Sequence, residues 1–228
     1  MKKTCLSLIL VFAIAGGAFA QGEEPSYPQN TVLIDIVPLY LGAVFGMFGQ
    51  LIEDSDINIA SFGIAAQYDR QISLYTSLGA RVSFFWIGLN QSSPSDASFG
   101  ASTLSIEGNI RYFPAGRVFF IGGFLGYGNI LYLGTGYDDE SDRQSVNVLT
   151  NYFKFGPRMG WRIDFGKPGG FILDIAMGYD GAVLMGKSTG RQIEDQLGYN
   201  DLGSLIFLYE AFYIVGGPRF MLSLGWRF

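Results

Sequence analysis

The sequence has no histidine and only one cysteine among its 228 residues. Without histidine there is no imidazole metal ligand, no Ser-His-Asp triad and no histidine general base. A single cysteine cannot close an internal disulfide. Charge is scarce too. Asp, Glu, Lys and Arg make up 15% of the chain, against roughly 25% in ordinary soluble domains. The net charge of −5 excludes a general nucleic-acid binder. Also missing is a long apolar run. A membrane helix needs about 20 apolar residues in a row. After residue 20 the longest candidate is 205–215, and Glu210 interrupts it.

Apolar and small residues are plentiful. The chain is 49% hydrophobic and 16% aromatic, with 32 glycines. That composition is too apolar for a disordered chain. Part of the surplus lies in residues 1–20, MKKTCLSLILVFAIAGGAFA. Lys2 and Lys3 precede an apolar stretch from Leu6 to Ala15, and Ala18-Phe19-Ala20 fits a cleavage site. This pattern predicts a secretory signal peptide at 1–20, with 21–228 as one domain. Cys5 falls in the leader, so the mature chain has no cysteine. It keeps 13 basic against 20 acidic residues, a net charge of −7.

The remaining surplus alternates with period two. Ile72, Leu74, Thr76, Leu78, Ala80, Val82, Phe84 and Trp86 fall on one side of 72–86. Ser73, Tyr75, Ser77, Gly79, Arg81, Ser83 and Phe85 fall on the other. Such alternation over a long segment reads as strand. The pattern recurs at 60–68, 103–112, 152–162, 171–180 and 220–228. It is weaker at 32–40, and a glycine run at 117–128 leaves the facing there open. Aromatics end the apolar faces. Tyr68, Tyr112, Phe171, Trp226 and Phe228 suit an inner girdle; Phe84, Trp86, Tyr179 and Phe220 suit an outer one. Long strands, apolar on one face and ringed by aromatics, predict an all-β transmembrane antiparallel up-and-down barrel in the bacterial outer membrane. A soluble secreted β-sandwich would explain the alternation alone.

Tight turns are expected at Asp69-Arg70-Gln71, Pro114-Ala115-Gly116 and Gly166–Gly169. Long loops are expected at 46–56, 88–101, 129–146 and 186–203. Strands then fall near 31–42, 57–69, 71–87, 102–113, 117–129, 147–165, 171–185 and 218–228, eight in all. Residues 203–215 read either as a short helix in the last long loop or as an extra strand. A partner strand from 41–48 would make the second reading a ten-stranded barrel.

The last ten residues, RFMLSLGWRF, alternate and end in Phe. They resemble the terminal signal read by the bacterial barrel-assembly machinery, with Leu224, Trp226 and Phe228 as its residues. The whole chain is similar to small eight-stranded outer-membrane proteins. NYFKFGPRMGWRIDFGKPGGF (151–171) and GGPRF…LGWRF (216–228) carry a closer likeness to spirochaete-type outer-membrane barrel proteins, a group with no agreed activity. The resemblance implies contact with outer-membrane lipid, and no cofactor.

Few motifs suggest chemistry. Gly181–Ser188 matches G-x-x-x-x-G-K-S, but a phosphate loop needs a strand-to-helix turn. Here the match runs out of an amphipathic strand, so no nucleotide is expected. The cluster Asp138-Asp139-Glu140-Ser141-Asp142 lacks the glycine of a calcium loop, Arg143 standing in its place. It reads as a solvated loop tip, and no metal site is expected. The four long loops carry eleven acids and three bases, Arg143 among them.

Asp35, Arg81, Glu107, Arg111, Lys154, Arg158, Arg162, Asp174 and Asp180 share the inward parity. An eight-stranded barrel holds little more than its own side chains, so these charges are expected to form a lumen ion-pair network. Glu107, Asp174 and Asp180 are the expected counter-ions of the basic stripe Lys154, Arg158 and Arg162. Barrel enzymes mostly use a histidine base, so none is expected here. The functions that fit are a non-enzymatic structural or surface-interaction barrel, or a narrow channel for small solutes or hydrophobic molecules.

Overall fold

The computed structural model describes residues 30–37, 57–91, 98–114, 118–137, 143–165, 170–185 and 217–228. It contains eight strands: β1 (Asn30–Asp35), β2 (Ile57–Gln71), β3 (Thr76–Gln91), β4 (Ser98–Tyr112), β5 (Phe119–Tyr137), β6 (Arg143–Phe165), β7 (Phe171–Met185) and β8 (Gly217–Arg227). Each pairs antiparallel with its neighbours in sequence, and β1 pairs with β8 to close the sheet. Closure removes the sandwich alternative, which needs two separate sheets. It also removes the ten-strand alternative, because β1 is bonded directly to β2 and β7 directly to β8, which leaves no place for a strand from 41–48 or 203–215 between them.

The pairing sets the barrel's stagger. Phe228 exchanges backbone hydrogen bonds with Asn30. From there the register runs through Arg70, Leu78, Ile110, Gly123 and Pro157. The flanking pairs Phe155–Gly181 and Arg158–Gly178 set Tyr179 opposite Pro157. Tyr179 then pairs with Pro218. One circuit thus shifts ten residues along β8, from Phe228 to Pro218. Over eight strands that shear tilts them by roughly 45° and leaves a narrow, side-chain-filled interior.

The two faces of the wall are inverted relative to a soluble protein. Large apolar side chains point out and stay exposed, Leu125 at 63% and Phe220 at 64%. All nine proposed girdle aromatics are among these exposed groups. The alternation resolves the facing of β5. Phe120, Phe124, Ile130 and Tyr132 are buried inward, while Ile121, Leu125 and Leu133 face outward. Its inward glycines permit close approach. A Cβ on Gly122 would lie 2.2 Å from the Ile110 carbonyl oxygen.

Besides β3 and β4, which end at Gln91 and start at Ser98 inside the expected loop at 88–101, two boundaries differ from the sequence reading. β2 continues through Asp69, Arg70 and Gln71, and the chain turns at Ser73–Tyr75 instead. The Ile72 and Ser73 amides both donate to the Thr76 carbonyl, and the Ser73 hydroxyl accepts from the Tyr75 amide. The serine supplies the local bonds that a turn needs. Ile72 and Leu74 therefore belong to the turn and not to a lipid-facing strand. The second difference is the reach of β5 and β6, at 19 and 23 residues. Arg143, assigned to a loop by sequence, opens β6.

A tilted strand crosses a bilayer in about 9–11 residues, so β5 and β6 overshoot. Asn151 is the first β6 residue paired with β7, and Arg143–Thr150 pair with β5. At about 3.3 Å per residue and this tilt, those eight residues add roughly 20 Å on the long-loop side. The leader at 1–20, the segments 41–48 and 203–215, the acidic loop residues and the turns' residues 115–117 and 166–169 lie outside the described residues.

Candidate functional site: a two-layered charged lumen

The inward parity of the strands gathers most of the barrel's charge along its axis. Asp35, Arg81, Glu107, Arg111, Lys154, Arg158, Arg162 and Asp174 are all buried. Asp180 is half-buried. They separate into two layers.

The lower layer lies near the short turns. Arg162 sits opposite Asp174 in the β6–β7 ladder. Arg162 Nη2 reaches Asp174 Oδ2 at 2.8 Å and Asp69 Oδ2 at 2.6 Å. Arg111 Nη1 reaches the same two oxygens at 2.6 and 3.1 Å. Gln67 Nε2 donates to the other oxygen of Asp69 at 2.7 Å. Two cations and two carboxylates thus form a closed, neutral square. An aromatic floor supports it. Phe113 and Phe120 pack at 5.7 Å, Arg111 lies 4.6 Å from the Phe120 ring centre, and Arg162 lies 5.6 Å from that of Phe113. Such cation–ring contacts favour a desolvated guanidinium. Gly79 leaves room for Asp69, since a Cβ there would come within 1.9 Å of Asp69 Oδ1.

The upper layer is centred on Glu107. Lys154 bonds its Oε1 and Arg158 Nη2 bonds its Oε2. Arg219 Nη1 approaches Oε1 at 3.4 Å while bonding Asp180 Oδ2 at 2.6 Å. Lys154 also donates to Ser105 Oγ at 2.8 Å, which in turn pairs with Ser83. Arg81 faces Glu107 across the β3–β4 ladder but turns to Asp35, at 2.5 Å. Asp35 additionally accepts the Leu222 and Val37 amides at the end of β1. Arg158 stacks 3.8 Å from the Phe124 ring centre.

Apolar layers flank the charge. Met221 and Ala176 cluster with Phe113 and Phe120. On the long-loop side Ala101, Ile130, Tyr132 and Tyr152 form a second cluster, with Ile87 and Leu184 packed on it. Among the described residues, charged and apolar layers fill the lumen in turn.

The sequence reading missed four partners. Asp69 shares the parity of Ala65 and Gln67, but was assigned to a turn. Arg219 shares the parity of Ser223 and Arg227 and lies in the expected strand 218–228, but is not among the nine expected lumen charges. Arg227 pairs with Asp164 at 2.8 Å, near the lower rim. Asp180 pairs with Arg219 and not with the basic stripe of β6. The match to a phosphate loop meets a plain objection: Gly181–Met185 are strand, with Gly181 and Met185 paired to Phe155 and Asn151. Among the described residues no group of three or more metal-ligating side chains comes together.

Fold and lumen define a small, filled, eight-stranded antiparallel barrel of inverted polarity. No protein-family model matches the chain, and no curated protein sequence matches it. Among solved structures it is similar to Ail, the attachment invasion locus protein of Yersinia pestis, solved with the heparin analogue sucrose octasulfate. Identity is 11% and the TM-score 0.44, over 89% of this chain and 99% of that one.

Proposed function

We propose that this chain is an exported bacterial outer-membrane barrel that does not conduct. In this reading it holds a rigid β-sheet outside the cell for surface interaction. Residues 1–20 would direct export, and Leu224, Trp226 and Phe228 would mark the last strand for assembly. The aromatics at either end of the apolar band would meet the two lipid interfaces. The observation that carries the reading is the filled lumen, two ion-paired layers between apolar clusters, inside an apolar wall. A narrow solute channel would need that filling to move. The overshoot of β5 and β6 supports the display role, because roughly 20 Å of sheet stands beyond what a bilayer covers. Both the spirochaete-type likeness and the absence of catalysis belong to this proposal.

The mature chain has no cysteine of its own, which makes labelling direct. Ser145→Cys lies in the outer part of β6 and Ser73→Cys in a short turn; both side chains are exposed. In intact cells a membrane-impermeant maleimide is expected to label Ser145→Cys and to spare Ser73→Cys until the outer membrane is opened. Equal labelling of both sites in intact cells would overturn the placement.

A further inference from the structure

The two lumen layers differ in charge balance. The lower one is neutral. The upper one sets four cations, Arg81, Lys154, Arg158 and Arg219, against three carboxylates, Asp35, Glu107 and Asp180. Among the described residues one positive charge is left over. A buried charge without compensation is costly, and proteins cancel it where they can.

The surplus has an address. Arg158 is 4% exposed, yet its Nε and Nη1 have no hydrogen-bond partner. Arg81 is 1% exposed, and its Nε is likewise without one. Only Nη2 of Arg158 is engaged, by Glu107, while the Phe124 ring covers the guanidinium plane. Arg158 feels the charge of Arg219 and Arg81 as well as that of Glu107 and Asp180. These donors are left unpartnered in a layer where, among the described residues, cations outnumber carboxylates. A guanidinium donates readily to anions and is weakly hydrated, so it gains most from a weakly hydrated anion.

We propose that the upper lumen binds one small monovalent anion of the halide class, held by an unpartnered N–H of Arg158 with Arg81 beside it. A phosphate or sulfate is too large and carries too much charge for a surplus of one. The anion completes the neutrality that the lower layer achieves with side chains alone. It is a structural ion, taken up as the barrel closes.

The test uses the mature chain refolded in detergent separately in chloride, bromide or gluconate at equal ionic strength. Crystals grown in bromide are expected to show one anomalous peak inside the barrel, within bonding distance of Arg158. No lumen peak beside a well-ordered Arg158 would overturn the proposal. In parallel, the unfolding temperature is expected to fall by several degrees when gluconate replaces chloride. In Arg158→Met that difference should vanish, since the surplus charge is gone. A salt-independent unfolding temperature in the unaltered chain would also overturn the proposal. If Arg158→Met does not refold, the bromide experiment on the unaltered chain still decides.

Discussion

The two layers of the lumen solve the same problem in different ways. Near the short turns, Asp69 and Asp174 are shared by Arg111 and Arg162, so each charge touches two of opposite sign. Higher up, Glu107 is the one carboxylate of Lys154 and Arg158 and shares Arg219 with Asp180. The lower layer is redundant and the upper one is not. Redundancy protects a buried network, because losing one member leaves the others partly compensated. A hub concentrates the risk in one side chain.

The contrast is broken most severely at the hub. Glu107→Gln leaves the buried cations Lys154 and Arg158 without their carboxylate and Arg219 with Asp180 alone. We expect a loss of about 3–5 kcal/mol, the cost typical of breaking a buried pair, measured by denaturant unfolding of the refolded barrel. A loss no larger than that of a lower-layer carboxylate would mean that Glu107 is no hub.

The lower layer should respond more mildly, and in a way that can be reversed. Asp174→Leu leaves Arg162 and Arg111 sharing Asp69, at an expected cost of about 3 kcal/mol, the low end for a broken buried pair. Adding Arg162→Met restores balance, since Arg111 and Asp69 remain as one pair. The double variant is therefore expected to be more stable than Asp174→Leu alone. Additive losses in the double-mutant cycle would show that charge balance is not what holds this layer.

The smallest effect is steric. Gly79→Ala would push a methyl group against Asp69 Oδ1 and, at 2.8 Å, against the Tyr68 carbonyl oxygen. Overpacking of this kind costs roughly 1–2 kcal/mol. Gly122 faces backbone of β4 and not a charged side chain. The Gly79 effect should therefore shrink in an Asp69→Ala background, read in the same unfolding experiment.

Much of this was legible in the sequence because period two is a strong signal when one face meets lipid and the other a crowded lumen. The strands at 57–69, 102–113 and 171–185 were placed within a few residues of their ends, and nine lumen charges were named from parity alone. What failed was local. Asp-Arg-Gln at 69–71 looks like a turn by composition, but the serine at 73 supplies the turn's bonds, so the parity of β2 runs on through Asp69. Arg219 lies beside Pro218 at the start of the expected strand, ahead of the clear alternation at 220–228. The glycines of β5 erased its alternation, and only packing against β4 and β6 reveals which face turns inward. Partner choice was the least legible. Parity tells which charges share the lumen, but the ten-residue shear decides which of them meet. That is why Asp180 faces Arg219 and not the β6 stripe.

The central claim is that the lumen is closed by its own side chains. Planar-bilayer recording of the refolded mature chain tests it most directly. The account predicts a silent membrane at every voltage that the bilayer tolerates. Reproducible unitary steps from the unaltered protein would contradict it.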